Sequence, residues 1–269
     1  MIIVNDLKNI NKIIKKLISN STLNTLNINN HEECAYCGTE NIISNSIWIC
    51  TNCKCINSSL SKKLIMSDPA LLKTISEIYE LRKSEMYDDA IAKYDAIKNY
   101  TDVRFAYAEA RLCRYASDKI LEQVDYNRKD FMEENAELKS KASAYESKAK
   151  HLFYKVIYAV QNAQNPTQEM LFMRAMAELE LKRFKDVKAT LTLFDSSAPN
   201  PMADYTKVLF DIEIKDYENA LDNASKIISS NIFKENAFYY AAIILIKLNK
   251  INEAKKILKA LSKFNLKIQ

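Results

Sequence analysis

One glycine, Gly38, stands in a chain of 269 residues that also holds only four prolines. That count removes whole classes of architecture. A phosphate-cradling loop, a G-x-G-x-x-G turn and a nucleophile elbow each need glycines at fixed offsets. The tight hairpin turns of an all-β fold draw on them as well. Two histidines, His31 and His151, leave little material for His-based metal or triad chemistry. His151, in Lys150-His-Leu-Phe-Tyr154, has no thiol or second histidine nearby in sequence and reads as a helix-surface residue. The longest apolar run, Ala237–Ile246, spans 10 residues, against roughly 20 needed to cross a bilayer. In Met1–Asn20 the residues Asp6, Lys8, Lys12, Lys15 and Lys16 interrupt any signal-peptide core. The expectation is a mostly α, cytoplasmic, non-membrane chain that is not an enzyme.

Five of the six cysteines fall within 22 positions, and four of them form two C-x-x-C pairs, Cys34/Cys37 and Cys50/Cys53, enclosing twelve residues. Each pair sets two thiolates on one tight turn, and four soft sulfurs at tetrahedral geometry suit one Zn²⁺. Iron in a rubredoxin-like site is the competing metal. Such clustering points to a metal in a reducing compartment rather than to a disulfide framework. Gly38 follows the second cysteine, where the knuckle needs a left-handed turn. The β-formers of Asn41–Ser44 and Ser46–Ile49 predict a short hairpin between the pairs. Four protein ligands leave no open position, so the zinc is read as structural. Cys55 and His31 are alternative ligands that the spacing does not require. Cys113 reads as a small core residue. A zinc ribbon over 31–60 therefore follows an N-terminal helix and linker over 1–30.

From 67 to 269 the chain reads as successive helices. Pro69, Pro166 and Pro201 each follow Asp68, Asn165 or Asn200, the pattern of a capping residue with proline at the first helical position. A short pattern recurs as Tyr87-Asp-Asp-Ala90, Phe184-Lys-Asp-Val187, Tyr217-Glu-Asn-Ala220 and Ile251-Asn-Glu-Ala254. The last three small residues are spaced 33 and 34 apart, and Ile97, Phe194, Ile227 and Leu261 follow each small residue by seven positions. These residues resemble the tetratricopeptide repeat family, in which a small residue opens the second helix of each pair. Ala175 and Ala242 match the small residue of the first helix, which Ile78 and Val208 replace. The resemblance implies a helical-hairpin solenoid, with repeats near 69–100, 166–197, 200–230 and 233–266 and an irregular long hairpin over 103–165. A zinc ribbon joined to such repeats resembles bacterial proteins, with a phage-encoded origin as the alternative. That implies architecture more than activity.

Three surfaces are candidates for partners. Arg104, Tyr107, Arg111 and Arg114 share one helical face, and in the resembled family such first helices line a groove. Three guanidiniums with a tyrosine suit an acidic peptide. The alternative is a solvated face paired with Glu109, Asp118 or acids on the next helix. Lys255, Lys256, Lys259 and Lys263 make the last hairpin basic, either as a polar cap or as a nucleic-acid contact. Ile3, Leu7, Ile10, Ile14 and Leu17 form a heptad-like seam suited to intramolecular docking or to a homo-oligomer. The function expected is a non-catalytic protein–protein scaffold. The alternatives are a nucleic-acid-associated factor using the ribbon and Lys-rich ends, and a phage, virion or assembly component.

Overall fold

The computed structural model describes residues 30–43, 47–58, 67–99, 102–124, 132–197, 199–230 and 233–262. The seam Ile3–Leu17 and Lys263 lie outside the described residues. The described part is mostly helical, with two small antiparallel hairpins near its start. Strands β1 (Asn30–Glu33) and β2 (Glu40–Ile43) pair with each other, as do β3 (Ile47–Ile49) and β4 (Ile56–Ser58). The hairpin expected between the cysteine pairs is therefore not the one formed. Each C-x-x-C turn instead closes its own hairpin, because the turn brings its flanking backbone together. Cys34 N–H donates to Thr39 O (2.9 Å) and Cys50 N–H to Cys55 O (2.9 Å).

Ten helices follow among the described residues: α1 (Pro69–Lys83), α2 (Tyr87–Lys93, continued by a 3-10 turn Tyr94–Ile97), α3 (Val103–Gln123), α4 (Met132–Gln161), α5 (Gln168–Glu180), α6 (Phe184–Leu191), α7 (Pro201–Glu213), α8 (Tyr217–Ser230), α9 (Lys234–Lys247) and α10 (Ile251–Ser262). No helix among the described residues is long and apolar enough to cross a membrane. Two compact units result, one of residues 33–41 and 50–190, the other of 30–32, 42–49 and 191–262. In the first, α1 packs on α2, α3 on α4, and α4 on α5; in the second, α7 to α10 pack in sequence order.

Helix starts follow local chemistry. Asp68 Oδ1 accepts from Ala70 and Leu71 N–H (both 3.0 Å) ahead of Pro69, and Asn200 Oδ1 accepts from Met202 and Ala203 N–H ahead of Pro201. The expected start at Asn165-Pro166 shifts by two residues. Thr167 is the cap of α5, its hydroxyl accepting from Met170 N–H (3.2 Å), and Pro166 lies just outside the helix.

Four helix pairs share one turn. Glu85, Lys182, Lys215 and Asn249 adopt positive φ of 61, 57, 65 and 59°, each two residues before the next helix. Each donates its N–H to the third carbonyl back: Arg82, Leu179, Ile212 and Ile246. The following residue donates five back, to Leu81, Glu178, Asp211 and Leu245 at 2.8–2.9 Å. This double closure satisfies carbonyls that the helix end leaves open. Ala90, Val187, Ala220 and Ala254, which enter the second helix of these pairs, are all fully buried. The α3–α4 pair differs, with 21 and 30 residues in its two helices.

Candidate metal centre

Each C-x-x-C segment winds into a knuckle. Gly38 N–H donates to Cys34 O (2.9 Å) and Lys54 N–H to Cys50 O (3.1 Å), with φ of 70° at Gly38 and 62° at Lys54. The turn points both cysteines of each pair inward. Cys34 Sγ lies 3.6 Å from Cys53 Sγ, and Cys37 Sγ lies 3.7 Å from Cys50 Sγ. All four sulfurs fall within 4.8 Å of one another. A tetrahedron with metal–sulfur bonds of about 2.3 Å has edges of about 3.8 Å, so the cage has the size a tetrahedral thiolate-bound ion requires. All four cysteines are buried, leaving no side open to solvent or substrate. His31, exposed on β1, and Cys55 are not members of the cluster. Cys55 Sγ donates instead to Arg104 O (3.4 Å).

Two buried asparagines, absent from the sequence reading, tie the knuckles together. Asn41 Oδ1 accepts from Thr51 N–H (2.8 Å), while its Nδ2 donates to Thr39 O (2.6 Å) and toward Cys50 Sγ (3.7 Å). Asn57 mirrors it: Oδ1 accepts from Ala35 N–H (2.8 Å), and Nδ2 donates to Cys55 O (3.1 Å) and Cys34 Sγ (3.4 Å). Each asparagine stands four residues after its own second cysteine and grips the opposite knuckle at its first cysteine. The centre thus has local two-fold pseudo-symmetry. The sequence carries it as Cys-x-x-Cys-x-x-x-Asn, written at 34–41 and again at 50–57.

Donors surround the sulfurs. Tyr36 N–H reaches Cys34 Sγ (3.5 Å), Asn52 Nδ2 reaches Cys37 Sγ (3.6 Å), and Thr39 Oγ1 lies 3.2 Å from Cys37 Sγ. Burial pushes the Cys34 and Cys53 thiols well up. Burial opposes ionisation of Cys37 too, yet hydrogen bonds from Cys34, Cys50, Cys53 and Thr39 draw that thiol well down. A buried tetrathiolate needs a compensating cation, because unpaired charge is costly away from water.

The first knuckle is embedded in the helices of its unit. Tyr36 is fully buried, its ring edge-on to Phe105 (5.1 Å between centroids) and beneath the Arg104 guanidinium (4.8 Å). Its hydroxyl lies 3.4 Å from Asp102 Oδ2, and its carbonyl accepts from the Tyr94 hydroxyl (3.0 Å). A Cβ added at Gly38 would lie 2.6 Å from Tyr79 Cβ and 3.0 Å from Ile75 O, both on α1.

The arginine stripe faces acids of its own chain. Arg104 pairs with Asp102 (2.7 Å) and Glu169 (2.8 Å), and Arg111 pairs with Glu180. Arg114 lies 6.0 Å above the Phe153 ring, and Tyr107 is fully buried. Glu169 and Glu180 lie on α5, one helix beyond the next-helix acids that the alternative named. Lys255, Lys256 and Lys259 lie exposed on α10, and His151 lies exposed on α4. Cys113 is buried, and burial with Glu109 pushes its thiol up to about 12. Comparison with models of protein families, with curated proteins and with solved structures finds no match.

Proposed function

We propose that the chain is a non-catalytic scaffold for protein partners, built on one structural Zn²⁺ held by Cys34, Cys37, Cys50 and Cys53 and on a tetratricopeptide-like stack of helix pairs. The observation that carries the reading is the closed sulfur cage. Four buried ligands with matched amide donors leave no position for substrate, so the ion's contribution is folding energy. Zinc is preferred over iron because it binds four thiolates with no redox chemistry to protect. The repeated turn at Glu85, Lys182, Lys215 and Asn249 supports a tetratricopeptide-like stack, since a shared turn imposes similar geometry on successive pairs.

Arg104 and Arg111 are engaged with Asp102, Glu169 and Glu180, so an acidic peptide would have to displace these carboxylates. Partner capture is assigned to the stack as a whole, in a reducing, cytoplasmic setting that keeps the cysteines ligating. The test has two parts. Elemental analysis of protein purified from unsupplemented cells should give one zinc per chain. Iron at that stoichiometry, or no metal, rejects the zinc assignment. Affinity capture from the native host, with wild type and Arg104→Glu/Arg111→Glu side by side, should return defined protein partners. Metal-dependent turnover of a co-purifying small molecule would reject the scaffold.

A further inference from the structure

The outer face of α4 carries a feature that neither the metal centre nor the scaffold uses. Tyr154 and Tyr158 stand one turn apart, 51% and 70% exposed, and are the large hydrophobic residues exposed on α4 among its described residues. Residues at this spacing share a face, with Cβ atoms about 5–6 Å apart. Across the turn between α5 and α6, the Arg183 guanidinium lies 5.5 Å from the Tyr154 ring centroid.

The surrounding charge is positive. From 143 to 162 the single acid is Glu146, which pairs with Lys150 (3.0 Å), and Asp186 pairs with Arg183 (2.7 Å). Lys155, Lys182 and Lys185 are exposed and make no ion pair among the described residues. The exposed residues along this stretch include the polar Ser147, His151, Gln161 and Asn162 and the small Ala159. Protein-interface cores are depleted in lysine and enclose their aromatics in apolar surroundings, which this face lacks. Two exposed rings, with the Arg183 guanidinium against Tyr154 and exposed lysines at 155, 182 and 185, match a polyanion that carries its own stackable rings.

We propose that Tyr154 and Tyr158, with Lys155, Lys182, Arg183 and Lys185, form a sequence-tolerant platform for single-stranded nucleic acid. Successive bases stack on the two rings while phosphates lie along the cations. Stacking of this kind is sequence-tolerant because every base has a π-face. Duplex bases are already stacked on each other and gain little here. The site is independent of the scaffold assignment.

The test uses the full chain and the fluorescence anisotropy of labelled oligo-dT and oligo-U of about 12 nucleotides, within the span such platforms cover. A duplex of equal length and an acidic peptide serve as competing probes. The single strands should bind more tightly than the duplex. Affinity should fall between about 50 and 200 mM salt as counterions are released. Tyr158→Ala should weaken binding roughly tenfold, and Tyr154→Ala/Tyr158→Ala further. Tyr158→Phe should retain it, because the ring and not the hydroxyl stacks. Lys155→Glu/Lys182→Glu should weaken binding and flatten the salt slope, which tests the site without touching either ring. Equal affinity for duplex, indifference to the double alanine exchange, or capture of the acidic peptide in place of the oligonucleotides would each overturn the proposal.

Discussion

Replacing Gly38 by alanine separates two demands that its position makes. The residue sits at φ 70°, where a Cβ costs about 1–2 kcal/mol. It also abuts α1, with Tyr79 Cβ at 2.6 Å and Ile75 O at 3.0 Å from the new atom. Neither neighbour is the far end of a flexible side chain, so α1 or the knuckle must move. Overpacking of this kind costs about 1–3 kcal/mol. Together these give a loss of about 2–5 kcal/mol. Lys54 supplies the control. It holds the pseudo-equivalent place at φ 62°, outside the tight contact, so Lys54→Gly should be neutral or stabilising by up to about 1 kcal/mol. The assay is urea unfolding followed by far-UV circular dichroism on metal-saturated protein, with metal content measured on the same samples. Gly38→Ala should keep its metal and lose stability. A Gly38→Ala protein within about 0.5 kcal/mol of wild type, the range of an ordinary surface exchange, would refute the close docking of knuckle and helix.

Three further outcomes follow from named contacts. Asn57→Ala removes the amide bridging Ala35, Cys55 and Cys34, and should weaken metal affinity about 10–100-fold in chelator competition; Asn41→Ala should match it by the local pseudo-symmetry. Glu178 is fully buried between Arg174 (2.8 Å) and Thr190 (2.7 Å), so Arg174→Met should cost about 3–5 kcal/mol in urea unfolding, with Arg174→Met/Glu178→Gln recovering much of it. Hydrogen bonds from Lys141 and Tyr145 hold the Asp88 carboxyl below its ordinary 3.8, so its contribution is present above that value and fades as pH falls through the lowered native one. Asp88 is solvent-exposed, which screens the pair. Asp88→Asn should therefore cost less than about 1 kcal/mol at neutral pH, a difference that closes in acid melts.

The parts legible in the sequence are those set by neighbours in sequence. The cysteine spacing located the sulfur cage because a C-x-x-C knuckle is a local device. Asp68-Pro69 and Asn200-Pro201 located helix starts because the cap and the proline act within one turn. Thr167 displaced Asn165 because two capping residues compete two positions apart, and propensity alone does not rank them. The four shared turns were invisible, since their left-handed residues are Glu85, Lys182, Lys215 and Asn249, and the first three are of types that do not ordinarily mark a turn. Of the arginine stripe, Arg104 and Arg111 reach Glu169 and Glu180, 65 and 69 residues downstream, a pairing that only tertiary packing decides. The asparagines were discoverable: the Cys-x-x-Cys-x-x-x-Asn segment occurs twice, and an internal repeat that short is easily passed over when only the metal ligands are sought.

That repeat also explains why one knuckle holds the chain's sole glycine. Among the described residues, six other than glycine adopt positive φ, Lys54 among them, so the left-handed turn by itself does not demand a glycine in this protein. The two knuckles are alike in backbone and in their asparagine ties and differ in what lies over them. In the first, the middle residues are the buried Ala35 and Tyr36; in the second they are the exposed Thr51 and the half-buried Asn52. Where the first follows its cysteines with Gly38 against α1, the second follows with Lys54, whose ammonium donates to Thr51 O (2.7 Å). Symmetry is kept where the sulfurs and amides build the cage, and broken on the side that meets the helices. The missing Cβ is thus a packing requirement of α1. The metal centre and the first helices share one core, and a change at either should be felt by the other.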